Sequence, residues 1–296
     1  MSLNTHRRRW LAALGLLPLL QACSPLALIN ATVARGTYRL LPDQGYGPDP
    51  RQRLDVYLPQ PAMTDAPLVL FFYGGTWSSG RRQDYRFVGE ALASRGIVAL
   101  VADYRLSPQV VYPAFVQDSA LALRWAWERA EGLGASPRRV FVVGHSAGAY
   151  NAAMLALDPR WLGAVGLSPG QLAGWAGLAG PYDFLPIGNP EAQVAFAWPH
   201  TPPDSQPLHH ARRAQAGATP RTLLLAARND HLVDPVRNSA GLAQALTGQG
   251  VPATLEMLDR VNHVTLIGAM AAPLRRLAPV LDRVAGFVSD ASATRP

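Results

Sequence analysis

Three residues far apart in the chain, Ser146, Asp230 and His263, have the side-chain types needed for nucleophilic acyl transfer. A serine hydroxyl is a poor nucleophile at neutral pH. It needs a base to take its proton and a further group to orient that base. Ser146 stands in Gly144-His145-Ser146-Ala147-Gly148, directly after the apolar run Val140–Val143 and before small and apolar residues at helical spacing, Ala152–Leu157. A strand that turns sharply into a helix through G-x-S-x-G exposes the serine hydroxyl at its tip and demands small neighbours, which Gly144 and Gly148 supply. In a chain of 26 glycines the pattern alone is weak. The strand before it and the helix after it give it weight.

In one recurrent arrangement of such a triad the chain order is serine, acid, histidine. Downstream of Ser146, the late strand predicted at 221–227 ends in Arg228-Asn229-Asp230-His231-Leu232-Val233-Asp234-Pro235. Asp230 lies closer to the strand end, where an orienting carboxylate is needed. Asp234 is the competing acid, but its position suits the cap of the coming helix. His263 follows the last predicted strand, 253–258, and is expected on a loop as the base. His145 lies inside the turn and is read as structural. His200, His209 and His210 precede the late strand, out of order, and His231 adjoins the acid. A zinc site built from these histidines matches no H-E-x-x-H or His/Cys spacing, so no metal and no cofactor is assigned. The oxyanion of an acyl transfer needs backbone N–H donors at the end of an early strand. Tyr73-Gly74-Gly75-Thr76 is a loop of that kind, and Gly75, Thr76 and Ala147 are the expected donors, with Gly74 permitting the turn. Trp77 and Tyr182, with Phe184, are expected to line an apolar substrate pocket, core packing being the competing reading.

The elements that must carry these residues alternate. Strands are predicted at 53–59 (half-exposed), 67–72, 97–105, 140–143, near 177–180, 221–227 and 253–258. Helices are predicted at 86–95, 115–131, 152–157, 238–247 and 274–288. Alternating strands and helices with mostly buried strands describe a largely parallel sheet covered on both faces. Residues 185–218, rich in proline and without a clear period, read as an irregular cap or substrate lid. The domain is expected to occupy 49–290, with 23–48 as a tether and lead-in.

All 27 basic residues are arginine, the formal charge is +7, and 16% of residues are charged. Outside the N-terminus the arginines are scattered and no basic stripe with interleaved aromatics appears, so nucleic acid is not expected as a partner. At the N-terminus, His6-Arg7-Arg8-Arg9 precedes the short apolar stretch Trp10–Leu20, and Leu20-Gln21-Ala22-Cys23 follows. That stretch is too short to span a bilayer and reads as a targeting segment, residues 1–22. The tetrapeptide resembles a bacterial lipobox, which implies cleavage before Cys23, the single cysteine, and a lipid anchor on its sulfur. Ser24 after it implies the outer membrane of a bacterial envelope, the domain facing the periplasm. Loss of residues 1–22 removes Arg7, Arg8 and Arg9 and no acid, taking the charge from +7 to +4.

Tyr73–Trp77, Asp103-Tyr104-Arg105-Leu106, Gly144–Gly148, Gly180–Phe184 and the Asp230 and His263 segments fall in the order and spacing of α/β-hydrolase serine esterases. The chain most resembles the carboxylesterase branch related to hormone-sensitive lipase, including feruloyl-esterase-like, arylformamidase-like and isoprenylcysteine-methylesterase-like members. The resemblance covers roughly residues 50–290. It implies an α/β-hydrolase fold, Ser146 as nucleophile, Asp230 as acid, His263 as base, and Gly75, Thr76 and Ala147 as oxyanion donors. The implied substrate is a small carboxylic ester. One departure stands out: Tyr73 replaces the histidine that usually opens the oxyanion loop, which implies altered loop packing. An amidase on the same site and a non-catalytic envelope binding module of the same fold are the competing functions.

Overall fold

The computed structural model describes residues 25–290. Cys23 and residues 1–22, expected to be a targeting segment, lie outside the described residues.

Tyr38–Gly45 (β1), Arg53–Pro59 (β2), Ala66–Phe72 (β3), Val98–Ala102 (β4), Ala135–His145 (β5), Gly174–Leu178 (β6), Thr222–Ala227 (β7) and Ala253–Leu258 (β8) form one sheet in the order β1-β2-β4-β3-β5-β6-β7-β8. β1 and β2 pair antiparallel, as do β2 and β4; every pairing from β4 through β3 to β8 is parallel. The helices are α1 (Pro25–Ala31), α2 (Arg86–Ala93), α3 (Ala114–Arg129), α4 (Ala147–Leu157), α5 (Pro159–Gly163), α6 (Pro190–Ala195), α7 (Pro207–Ala211), α8 (Gly241–Gly248), α9 (His263–Gly268) and α10 (Val280–Ser289). α2 and α10 pack together on one face of the sheet, and α3, α4, α7 and α8 form the layer on the other. Coverage on both faces is why β3, β4, β6 and β7 are buried throughout and read as near-continuous apolar runs.

The differences from the sequence reading have local causes. Tyr38–Gly45, taken as lead-in, is the edge strand of the sheet, its partly exposed pattern too weak to stand out without its partner β2. β2 is buried along nearly its whole length rather than on one face, because β1 and β4 flank it and α2 packs over it. The last helix begins only at Val280, since Pro279 stands at its N-cap and breaks the pattern that runs from Leu274. Residues 185–218 hold α6, a single 3-10 turn and α7. They are tied to the body by the Tyr150 hydroxyl, which donates to the Ser205 carbonyl at 2.7 Å.

Candidate active site

The turn between β5 and α4 puts Ser146 at φ 54°, ψ −123°, a conformation that costs a non-glycine residue of the order of 1–3 kcal/mol and persists only where its surroundings enforce it. Two close approaches enforce it. A Cβ on Gly144 would lie 2.1 Å from the Gly148 carbonyl oxygen, and one on Gly148 would lie 2.1 Å from the Phe72 carbonyl oxygen. The Ser146 amide donates to the Leu178 carbonyl at 2.9 Å, locking the turn to β6. The glycines flanking the serine in sequence are therefore fixed by packing between β5, α4 and β3.

Asp230 follows the end of β7. Its Oδ1 accepts the amides of Leu232 and Val233, each at 2.9 Å, and its Oδ2 lies 2.7 Å from His263 Nδ1. Burial works to raise this carboxyl. The hydrogen bond from His263 and those two amides outweigh it, and the group sits below its ordinary value. Because the carboxylate can only accept, the imidazole proton resides on Nδ1, leaving Nε2 as the basic nitrogen. The competing acid, Asp234, instead accepts the amides of Val236 and Arg237 at 2.8 and 3.1 Å, a cap for the helical turn that follows.

His263, expected on a loop, is the first residue of α9. Asn262 caps that helix: its side chain accepts the amides of Val264 and Thr265 at 3.1 and 2.9 Å, and Thr265 Oγ1 accepts the Asn262 amide at 2.8 Å. The spacing Asn262-x-x-Thr265 is the sequence signal that announces this helix. His145, 5% exposed, fixes the same residue from the other side: its Nε2 lies 3.0 Å from the His263 carbonyl oxygen and donates to it. Burial, reinforced by the neighbouring His263, pushes the His145 imidazole down to about 3, so it stays neutral.

Gly74, Gly75, Thr76, His145, Ser146 and His263 line one cavity of about 530 Å³. The Gly75 carbonyl is held inward by the amides of Ser78 and Ser79 at 2.9 and 3.0 Å. In a trans peptide the Thr76 N–H then points the opposite way. Among the described residues, no backbone carbonyl accepts from the amides of Gly75, Thr76 or Ala147. Tyr73 accounts for the loop's support. Its hydroxyl donates to Asp103 Oδ1 at 2.6 Å and accepts from Arg51 Nη2 at 2.8 Å, and Arg51 also donates to the Gly80 carbonyl at 2.9 Å. Asp103 in turn holds the Arg82 amide at 2.7 Å and its Nη1 at 2.6 Å, while Arg82 Nε reaches Asp55 at 2.9 Å. The sequence reading does not contain this ion cluster: Asp55 lies in β2, Arg82 in a 3-10 turn, Arg51 and Tyr73 in loops and Asp103 just past β4, and no spacing links them.

Two expected pocket residues belong elsewhere. Trp77, 3% exposed, packs edge-on against Tyr150 and Phe196, and its Nε1 donates to Asn151 at 3.1 Å. Tyr182, 0% exposed, stands edge-on to Trp175, with its amide held by Asn238 at 2.6 Å. Neither lines the cavity at Ser146; both rings are buried in core packing. No residue of 185–218 lines it either, which corrects the lid reading; its walls include Leu26 and Ile29 of α1. Among the described residues no group of histidine, cysteine, aspartate and glutamate could hold a metal ion.

A serine on a strained strand-to-helix turn, at the head of a mostly parallel sheet with helices on both faces, defines the α/β-hydrolase fold, and this chain has it. The BD-FAE family matches residues 54–161. A probable isoprenylcysteine alpha-carbonyl methylesterase of Oryza sativa subsp. japonica, ICMEL1, is 29% identical over 252 residues, covering 78% of this chain and 58% of that protein. The carboxylesterase NlhH of Mycobacterium tuberculosis is 41% identical over 110 residues, 36% of this chain and 34% of its own. The matched stretch thus spans about a third to somewhat over half of these relatives' lengths. Among solved structures, a propionate-bound thermophilic esterase of Thermogutta terrifontis superposes with a TM-score of 0.70 at 22% identity, covering 88% of this chain and 96% of that one.

Proposed function

We propose that this chain is a carboxylic ester hydrolase that works through a covalent acyl-enzyme on Ser146. The observation that carries the reading is the 2.7 Å contact between His263 Nδ1 and Asp230 Oδ2, with Ser146 and His263 lining one cavity. Ser146 Oγ attacks the acyl carbon, and its proton passes to His263 Nε2 as the carbonyl electron pair moves onto oxygen. The amides of Gly75, Thr76 and Ala147 receive that oxyanion. Collapse of the tetrahedral adduct breaks the bond to the alcohol, which leaves with the proton from His263. Water then repeats the sequence on the acyl-enzyme and returns the free acid and Ser146. Asp230 holds the imidazole in its tautomer and faces the imidazolium charge while it exists.

Sequence relatives named as a methylesterase and a carboxylesterase support ester cleavage, and one named as a kynurenine formamidase supports an amidase as the second reading of the same site. The propionate in the structural relative supports an aliphatic acyl group. The leader and the Leu20–Cys23 segment support export and a lipid anchor on Cys23, with residues 1–22 removed and the domain held at a bacterial envelope membrane, the outer one favoured.

A fluorophosphonate titration of residues 24–296, run beside Ser146→Ala, tests the catalytic reading. Stoichiometric labelling that vanishes in the variant is expected, followed by turnover of short acyl esters ahead of formyl anilides. Folded protein that takes no label would make the chain a binding module. Metabolic labelling with a fatty-acid analogue, lost in Cys23→Ala, tests the anchor.

A further inference from the structure

The cavity at Ser146 is closed on one side by a segment that lies outside the α/β core. Leu26 and Ile29 of the seven-residue α1 face it together with Phe87, Leu232, Val264 and Ile267 from three other places in the chain. Among the described residues, no arginine lines it. Its one aspartate, Asp84, is engaged by Arg81 Nε at 2.9 Å. A cavity walled largely by apolar side chains, with its one aspartate paired, favours an uncharged apolar ligand, and its volume of about 530 Å³ exceeds what an acetyl or propionyl group fills.

α1 is too short to be stable alone; Leu26 and Ile29 pack against the core, and Asn30 adds side-chain hydrogen bonds to a neighbouring segment. Asn30 Nδ2 donates to the carbonyls of Gln83 and Asp84 at 3.0 and 2.9 Å, and its Oδ1 accepts the Phe87 amide in the first turn of α2 at 3.2 Å. That residue spends donor and acceptor on the segment that contributes Asp84, Tyr85 and Phe87 to the cavity. The latch therefore fixes α1 against the wall that Asp84, Tyr85 and Phe87 form.

We propose that α1 is a substrate-binding element: Leu26 and Ile29 bind the uncharged aliphatic chain of the ester, and Asn30 positions them. This rests on the ester-hydrolase reading and names the substrate class of the same site. An ester with a medium-length aliphatic chain gains from the α1 wall, and an acetyl ester does not reach it.

The test uses residues 24–296, which contain every described element, and p-nitrophenyl esters from acetate to dodecanoate. Leu26→Trp fills the wall, and Asn30→Ala releases it without touching the cavity. The wild type is expected to prefer octanoate to acetate. Both variants should lower the octanoate-to-acetate ratio of kcat/KM by roughly tenfold, through KM, since a few methylenes in an apolar pocket are worth that much. Ile29→Ser, which adds no bulk, covers the case in which tryptophan prevents folding. A wild-type enzyme that cleaves a mono-adipate ester as readily as the octanoate would overturn the uncharged class. Unchanged ratios in Asn30→Ala and Ile29→Ser would overturn the role of α1. In either case, fluorophosphonate labelling of Ser146 shows that ester hydrolysis itself stands; loss of labelling in the wild type refutes that reading instead.

Discussion

Replacing Tyr73 by phenylalanine removes one oxygen atom from beneath the loop that presents Gly75 and Thr76. That hydroxyl is wholly buried, donates to Asp103 at 2.6 Å and accepts from Arg51 at 2.8 Å. Neither partner is orphaned by the change. Asp103 keeps the amide and guanidinium of Arg82, at 2.7 and 2.6 Å, and Arg51 keeps the Gly80 carbonyl at 2.9 Å. The ring keeps its stacking on Tyr104 and Tyr85, at 5.1 and 5.2 Å. The loss is then that of a hydrogen bond to a charged group whose other partners remain, about 1.5–2 kcal/mol. Urea unfolding should show it as a lower midpoint at unchanged slope. The same variant loosens the loop whose amides meet the oxyanion. Removal of one oxyanion donor costs ~10²–10³ in kcat elsewhere, so a displaced donor should cost roughly tenfold, with KM little changed. A variant within about 0.5 kcal/mol of wild type, with undiminished kcat, would refute the idea that Tyr73 supports this loop.

Asp230→Asn leaves the shape of the site intact but favours the wrong imidazole tautomer, so kcat for a short ester should fall about 10⁴-fold while fluorophosphonate labelling slows in parallel; a loss below tenfold would return the acid's role to another carboxylate. His145 is neutral when folded, with its ordinary value of 6.5 pushed down to about 3, so below pH 6.5 the unfolded chain takes up a proton that the folded one refuses. That contribution to stability is whole above pH 6.5 and is lost as pH falls toward 3, amounting to about 2 kcal/mol between pH 7 and pH 5. Urea midpoints of the wild type and His145→Gln across that range check it, and parallel curves would count against it. Trp77→Ala empties a site walled by Tyr150 and Phe196 and leaves Asn151 without its donor, which should cost about 3–5 kcal/mol. Unchanged stability with a raised KM would place Trp77 in the substrate pocket after all.

What the sequence by itself determined is local. The strand, sharp turn and helix around Ser146 are written in consecutive residues, because a buried parallel strand must be apolar and the turn after it tolerates only small neighbours. Asp230 was legible as an acid just past a strand end, and Asp234 as a cap, for the same local reason. The tertiary structure decided whatever depends on pairing across the chain. Tyr38–Gly45 is a strand only because β2 offers it an edge, and its own residues carry no clear alternation. Trp77 and Tyr182 could face a pocket or a core equally well by type. The burial of Trp77 follows from Phe196, and the place of Tyr182 from Asn238, which holds its amide; both partners are distant in sequence and are met only in the folded chain. The support of the oxyanion loop draws Arg51, Asp55, Tyr73, Arg82 and Asp103 from four stretches of the chain, and buried charges of this kind are stable only when paired. The wall built by α1 is the extreme case: seven residues that read as a tether become part of the site because one asparagine finds three backbone partners more than fifty residues away.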